Sequence, residues 1–205
     1  MARPTLIIAT RNRGKVREFD ELLAAAGMEL RGLEDTGVPP VAEDGVTYLD
    51  NARTKALAVA RFTGFPALAD DSGLEVDALG GAPGVRSARF AGPGATDADN
   101  VELLLQRMAS VPWERRTARF RCVIVVARAD GRTLSAEGTC EGIITERPRG
   151  AGGFGYDPVF YYPAAARTFA ELPAGEKNRV SHRARACERI LPRLVEFLGR
   201  GQTES

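Results

Sequence analysis

The most constraining stretch of this chain is Ala118 to Ala127, a nearly continuous apolar run rich in β-branched residues. Such a run reads as a strand, and Asp130-Gly131 beyond it reads as a hairpin turn into a second strand, Thr133 to Cys140. The chain opens differently. Leu6-Ile7-Ile8-Ala9 is a short buried strand, after which Val16, Phe19, Leu22, Leu23 and Ala26 recur at helical spacing until Gly27 supplies a stop. A strand-loop-helix opening combined with a long antiparallel hairpin predicts an α/β protein, with a mixed central sheet flanked by helices.

Further elements fill in this plan. Thr47-Tyr48-Leu49-Asp50 is a capping-box pattern that starts a helix through Ala52, Lys55, Ala56, Val59 and Ala60 towards Gly64. Pro66-Ala67-Leu68-Ala69 predicts a short strand ending on Asp70-Asp71-Ser72-Gly73. Gly80 to Gly94 is rich in Gly and Pro and reads as loop, and Thr96 to Asp99 caps a helix whose apolar face is Val101, Leu104, Leu105 and Met108. A second glycine-rich loop, Gly150 to Asp157, precedes a C-terminal helix from about Arg179 that buries Ile190, Leu191, Leu194 and Leu198 and is kinked or divided by Pro192. The last few residues read as a loose tail. With 205 residues, 44% of them hydrophobic, a single domain over 1–205 can build its core without a disulfide or structural metal.

Composition narrows the chemistry. Of 28 basic residues only Lys15, Lys55 and Lys177 are lysines, leaving 28 − 3 = 25 arginines, and His182 is the one histidine. His-rich zinc or iron sites are thereby excluded. Cys122, Cys140 and Cys187 are widely separated and odd in number, which does not make a disulfide framework. The apolar run near the N-terminus is too short for a signal peptide and no stretch approaches a membrane span, so the expected location is the cytoplasm, away from any membrane. A net charge of +1 argues against direct nucleic-acid binding.

Charge is nonetheless segregated. Thr10-Arg11-Asn12-Arg13-Gly14-Lys15 lies between a strand and a helix N-terminus, where backbone N–H groups and the helix dipole favour an anion. The same segment also reads as a helix capped by Asn12 with solvated arginines. Asp70, Asp71, Glu75 and Asp77 are the only charges between Phe62 and Val85. Adjacent carboxylates at a strand end suit a divalent cation shared with phosphate oxygens, and Glu43 offers another ligand, although Asp-Asp-Ser-Gly alone reads as a polar turn. In Gly152-Gly153-Phe154-Gly155-Tyr156-Asp157, a planar base could stack between Phe154 and Tyr156 and donate to Asp157, or the aromatics could plug the core. Glu176 to Arg183 gathers donors in Lys177, His182 and Arg183. Basic, acidic and basic segments together suit a nucleoside polyphosphate with a divalent metal.

In this order, TRNRGK, ADDSG, GGAPGVRSARFAG, GGFGYDP and EKNRVSHR resemble the inosine/xanthosine triphosphate pyrophosphatase family. The resemblance implies Mg²⁺-dependent hydrolysis of deaminated purine nucleoside triphosphates (ITP, dITP, XTP) to monophosphate and pyrophosphate, with other modified nucleotides as the alternative substrates. It also implies a homodimer and an elongated fold of two lobes with the active site in the cleft between them. Carried over by position, Thr10, Arg11, Asn12, Arg13, Gly14, Lys15 and Lys55 would contact phosphates, and Glu43 and Asp71 would hold the metal. Asp71 would be the general base with Ser72 beside it, and Phe154, Gly155, Tyr156, Asp157, Lys177, His182 and Arg183 would contact the base. The family often has Trp where this chain has Tyr156.

Overall fold

The computed structural model describes residues 4–34 and 36–199. Its centre is a seven-stranded mixed sheet in the order β2-β1-β3-β4-β5-β6-β7. In chain order the strands are β1 (Thr5–Ile8), β2 (Glu29–Gly32), β3 (Ala67–Val76), β4 (Thr117–Ala127), β5 (Thr133–Ile144), β6 (Phe160–Tyr162) and β7 (Arg167–Thr168). The helices are α1 (Arg13–Leu23), α2 (Tyr48–Thr63), α3 (Asp97–Arg107), α4 (Ala174–Val180) and α5 (His182–Gly199). β1 pairs in parallel with β2 and β3, whereas β5–β6 and β6–β7 are antiparallel. The hairpin joining β4 to β5 closes with Arg128 N–H donating to Arg132 O at 3.0 Å.

The chain divides into two compact units, and β3, β4 and β5 contribute residues to both. The first comprises the residues up to Asp71, then Cys122–Gly138 and those from Arg183 on. Its core joins Leu6 and Ile8 of β1, Phe19 and Leu23 of α1, Ile124 of β4, and Ile190 and Leu194 of α5. The second comprises Ser72–Arg121 and Thr139–His182. There Leu74, Leu104, Met108, Phe160 and Phe169 are fully buried and packed with Phe120.

Local chemistry explains the element ends. Asn12 accepts the Lys15 N–H at 3.1 Å and caps α1, and Thr47 accepts the Asp50 N–H at 3.1 Å and caps α2. Gly64, at φ +73°, ends α2 in the left-handed conformation that glycine adopts without steric cost. In the second unit Arg116 is 2% exposed and spends its guanidinium on four carbonyls, those of Met108, Val111, Ile144 and Thr145, at 2.7–3.1 Å.

Four expectations need correction. β3 does not end at Ala69 but runs to Val76, so both aspartates lie within a strand rather than in a turn. That is possible because cations beside Asp70 balance its charge. The expected C-terminal helix is two helices broken at Ser181, which is extended at ψ 160°, and Pro192 stands inside α5 without ending it. Gly80 to Gly94 contains a 3-10 helix, Gly84–Arg89. β2, β6 and β7 have no signature in the sequence, because they are two to four residues long, too short to show an alternating pattern. The loose tail expected at the C-terminus lies outside the described residues. Among the described residues no helix is long and apolar enough to cross a membrane, and the three cysteines are buried and form no disulfide.

Replacing Arg116 with Met would take a donor from four carbonyls, of which that of Met108 would keep the Val111 N–H. Unfolding in urea is expected to show a loss of about 3 kcal/mol or more, and a loss under about 1 kcal/mol would show that the carbonyls find other partners.

Candidate active site

In the first unit the central group is Asp70, whose side chain is completely inaccessible to solvent. An isolated buried carboxylate would neutralise itself by binding a proton. Here Lys15 Nζ lies 2.9 Å and Arg183 Nη2 3.2 Å from Asp70 Oδ2. Lys55 Nζ donates to the backbone oxygen of the same residue at 2.6 Å. Burial pushes the Asp70 pKa up, but the charges of Lys15, Arg183 and Lys55 outweigh it and hold the carboxyl far below the ordinary range. Arg183 is in turn shared with Glu18 of α1, which is also buried. Glu18 lies three residues after Lys15 on α1, a spacing that puts both on one face of the helix.

Asp71, the next residue, points to the other face of β3 and has a different environment. Asn51 of α2 donates its Nδ2 to Asp71 Oδ2 at 2.9 Å and accepts the Gly45 N–H at 2.8 Å. Burial raises the Asp71 pKa; the Asn51 hydrogen bond and the charges of Lys55 and Lys15 lower it, and the Glu43 charge raises it again, with a net upward shift. The neighbouring carboxyls are therefore driven apart. Asp70 is held as an anion and committed to cations, while Asp71 is shifted towards its protonated form, and a contrast of this kind suits acid-base chemistry.

Lys55, four residues after Asn51 on the same face of α2, bridges to Glu43 Oε1 at 3.2 Å. Glu43 and Asp71 are close enough to repel, and both offer hard oxygen ligands. Among the described residues no three His, Cys, Asp or Glu side chains gather as a closed cage. Two carboxylates fit an ion that takes its remaining ligands from phosphate and water.

The rest of the anion loop is mixed. Thr10 Oγ1 accepts the Asn12 N–H at 3.2 Å, and Arg11 donates to Val38 O at 2.8 Å. Arg13, 4.0 Å from Glu34, has a side chain 88% exposed, so it is a solvated helix-start arginine. Gly14 is the second residue of α1.

The second unit holds the base-loop residues. Asp157 accepts the Phe154 N–H at 2.8 Å and Lys177 Nζ at 2.5 Å, both through Oδ2. Any side chain on Gly153, at φ +72°, would collide with that carboxylate, so glycine is required there. Lys177 Nζ lies 4.6 Å from the centre of the half-buried Phe154 ring. His182 is buried and stacks on Phe120 with ring centres 4.7 Å apart. Ser72 is half-buried on β3.

Two expected base contacts are placed otherwise. Tyr156 does not face Phe154 across an open slot; it is 4% exposed in the core, with its hydroxyl donating to Ser87 O at 2.9 Å. Its ring is consumed by packing, which leaves Phe154 as the aromatic face of the loop. Arg183 is 1% exposed and engaged by Glu18 and Asp70 in the first unit, so its guanidinium serves the acidic cluster. Sequence reasoning missed Asn51 and Glu18. Helical spacing from Lys55 and Lys15 was the available signal.

A family model described as the Ham1 family matches residues 6–193. A protein of Geobacillus kaustophilus named dITP/XTP pyrophosphatase is 51% identical over 97% of this chain and 98% of its own length. One of the same name from Desulforamulus reducens is 54% identical over 95% and 96%. Among solved structures, a HAM1 protein from Coxiella burnetii superposes with a TM-score of 0.85 at 42% identity, covering 94% of this chain and 99% of its own. The Staphylococcus aureus Ham1 protein gives 0.82 at 36%, with the same coverage.

The two aspartates should respond oppositely to neutralisation. Asp70→Asn takes from Lys15 its carboxylate partner and leaves Arg183 with Glu18 alone in a dry site, and is expected to cost about 3–5 kcal/mol in denaturant unfolding. Asp71→Asn relieves a charge that burial disfavours and should leave stability unchanged or higher. The reverse order would refute the division of roles.

Proposed function

The chain belongs to the Ham1 family, and we propose that it hydrolyses deaminated purine nucleoside triphosphates, ITP, dITP and XTP, to the monophosphate and pyrophosphate. The names of its relatives support this reading. The observation that carries it is geometric: Asp70 is closed off by Lys15 and Arg183, while the adjacent Asp71 is held by the neutral Asn51 next to the Lys55–Glu43 pair, which sets a carboxylate beside two lysines suited to phosphate. In the cytoplasm such an activity removes these nucleotides before they enter DNA or RNA, and we assign the working form to a homodimer.

Asp71 orients a water and takes its proton as the water oxygen bonds to the α-phosphorus. The bond from that phosphorus to the α,β-bridging oxygen breaks, and pyrophosphate leaves. Lys15 and Lys55 face the charge that builds on the leaving group, while the α1 N-terminus offers backbone N–H groups. Glu43 and Asp71 are the residues that would hold Mg²⁺, which when bound supplies neutralisation of phosphate charge. Asn51 fixes the Asp71 carboxylate by donating to it.

Base recognition falls to the second unit. Phe154 offers the stacking face, Lys177, whose ammonium lies 4.6 Å from the Phe154 ring centre, offers a donor for the 6-oxo group of hypoxanthine or xanthine, and the family resemblance assigns the buried His182 as a second. Adenine would present its 6-amino group to the same donors, and a buried donor facing a donor is heavily penalised.

A panel of purine and modified pyrimidine triphosphates, assayed with Mg²⁺ and with EDTA, tests the proposal. ITP, dITP and XTP should release pyrophosphate rather than orthophosphate, and chelation should abolish release. A preference for modified pyrimidines would overturn the substrate assignment. Asp71→Asn should lower turnover by about 10²–10⁴-fold. Lys15→Arg and Lys55→Arg should each impair turnover, because a planar guanidinium cannot replace a compact ammonium in these closed pairs; full activity in both would remove that constraint.

A further inference from the structure

The loop that carries Phe154 is held from inside and from outside. On the inside, Asp157 accepts the Phe154 N–H at 2.8 Å, and the Gly152 N–H donates to Ala170 O at 3.0 Å. On the outside stands a cavity of about 620 Å³, lined on one side by Ala98, Val101 and Leu105 of α3 and on the other by Gly153, Phe154 and Pro158. Packing therefore does little to hold the outer side of the loop. A hydrogen bond spans it: the Gly155 N–H donates to Asp97 Oδ2 at 2.7 Å.

Asp97 has firm footing. It is the first residue of α3, and Thr96 and Asp99 close a reciprocal capping box at that end, with the Asp99 N–H donating to Thr96 Oγ1 at 3.2 Å and the Thr96 N–H to Asp99 Oδ2 at 2.8 Å. Asn100 ties the same turn to the preceding segment, accepting the Ala91 N–H at 2.8 Å. Because Asp99 does the capping, the Asp97 carboxylate is not needed for it. Gly155, at φ +60°, stands between Phe154 and Tyr156. The bond to Asp97 fixes the Phe154–Gly155 peptide plane, and that plane sets where the Phe154 ring lies.

We propose that Asp97 is a positioning residue for base recognition: it holds the Gly152–Asp157 loop in the shape that presents Phe154, and so governs affinity and selectivity for the base rather than the rate of phosphoryl chemistry. The inference rests on the base role assigned to this loop above. A carboxylate in the first turn of a helix also favours that helix through its dipole, so the test has to separate loop positioning from stability.

Asp97→Ala and Asp97→Asn are compared with the wild-type protein in three measurements: steady-state kinetics with ITP and ATP, thermal unfolding, and amide hydrogen exchange at Gly155. Asp97→Ala should raise KM for ITP by about 10-fold, the loss of one charge-assisted hydrogen bond, with kcat within about 2-fold of wild type. It should also narrow the preference for ITP over ATP and speed exchange at Gly155. Asp97→Asn keeps an acceptor oxygen and should restore most of the KM and of the exchange protection. Unchanged KM and selectivity in Asp97→Ala would overturn the inference, as would losses in both variants that simply track their unfolding temperatures. If the wild-type protein fails to hydrolyse ITP, the functional reading falls, but exchange at Gly155 still decides whether Asp97 holds the loop; unchanged protection there would show that it does not.

Discussion

The first unit is organised around a carboxylate that water cannot reach. Asp70 stands in the middle of the ten-residue strand β3 with no exposed surface, and a bare charge there would cost several kcal/mol. Lys15 comes from the first turns of α1 and Arg183 from the start of α5, so balancing the charge fixes both helix starts against β3. Glu18 then balances the second cation. The alternation Glu18, Arg183, Asp70, Lys15 puts opposite charges next to one another at each step. Lys15 stands at its end, with a side chain 15% exposed, so the element that faces solvent is a lysine already held in place.

Chemistry on the other face of the strand depends on that arrangement. A strand sends consecutive side chains to opposite faces, so Asp71 does not share the direct ion pairs of Asp70, although the charges of Lys55 and Lys15 still reach it. It meets a neutral donor, Asn51, and a repelling neighbour, Glu43, and keeps the capacity to exchange a proton. Two identical residues side by side thus acquire different protonation behaviour purely from which face they occupy. The adjacent arrangement of structural anion and reactive carboxylate is economical in sequence, since a single strand positions both.

Much of this was legible in the chain. The apolar run of β4, the helical spacing of Phe19 and Leu23, and the caps at Asn12, Thr47 and Thr96 all follow from local rules, and the structure has them where those rules put them. The scarcity of lysine was informative too: each of the three pairs with a carboxylate, Lys15 with Asp70, Lys55 with Glu43 and Lys177 with Asp157. What could not be read was the fate of a polar residue whose partner lies far along the chain. Asp70 looks like a turn residue until Arg183, 113 positions later, is brought to it. Tyr156 looks like a stacking partner until Ser87, 69 positions earlier, accepts its hydroxyl. Local pattern predicts elements; burial of charge and hydroxyl groups is decided by tertiary neighbours that no local window contains.

The order of segments along the chain also bears on how the protein is made. The second unit draws on Ser72–Arg121 and Thr139–His182, so all of its residues have been synthesised before Arg183 appears. The first unit begins at the N-terminus but waits for the last helix, because Arg183 follows directly on the second unit's final residue. On a ribosome adding residues from the N-terminus, Glu18 therefore waits 165 residues and Asp70 113 residues for the cation they share. During that interval Asp70 has Lys15 and Lys55 but not Arg183, and Glu18 lacks the guanidinium it pairs with, so the charge balance of the first core is incomplete until α5 arrives. The last helix thus brings the one cation that Glu18 and Asp70 share, and with it the final charge of the acidic cluster.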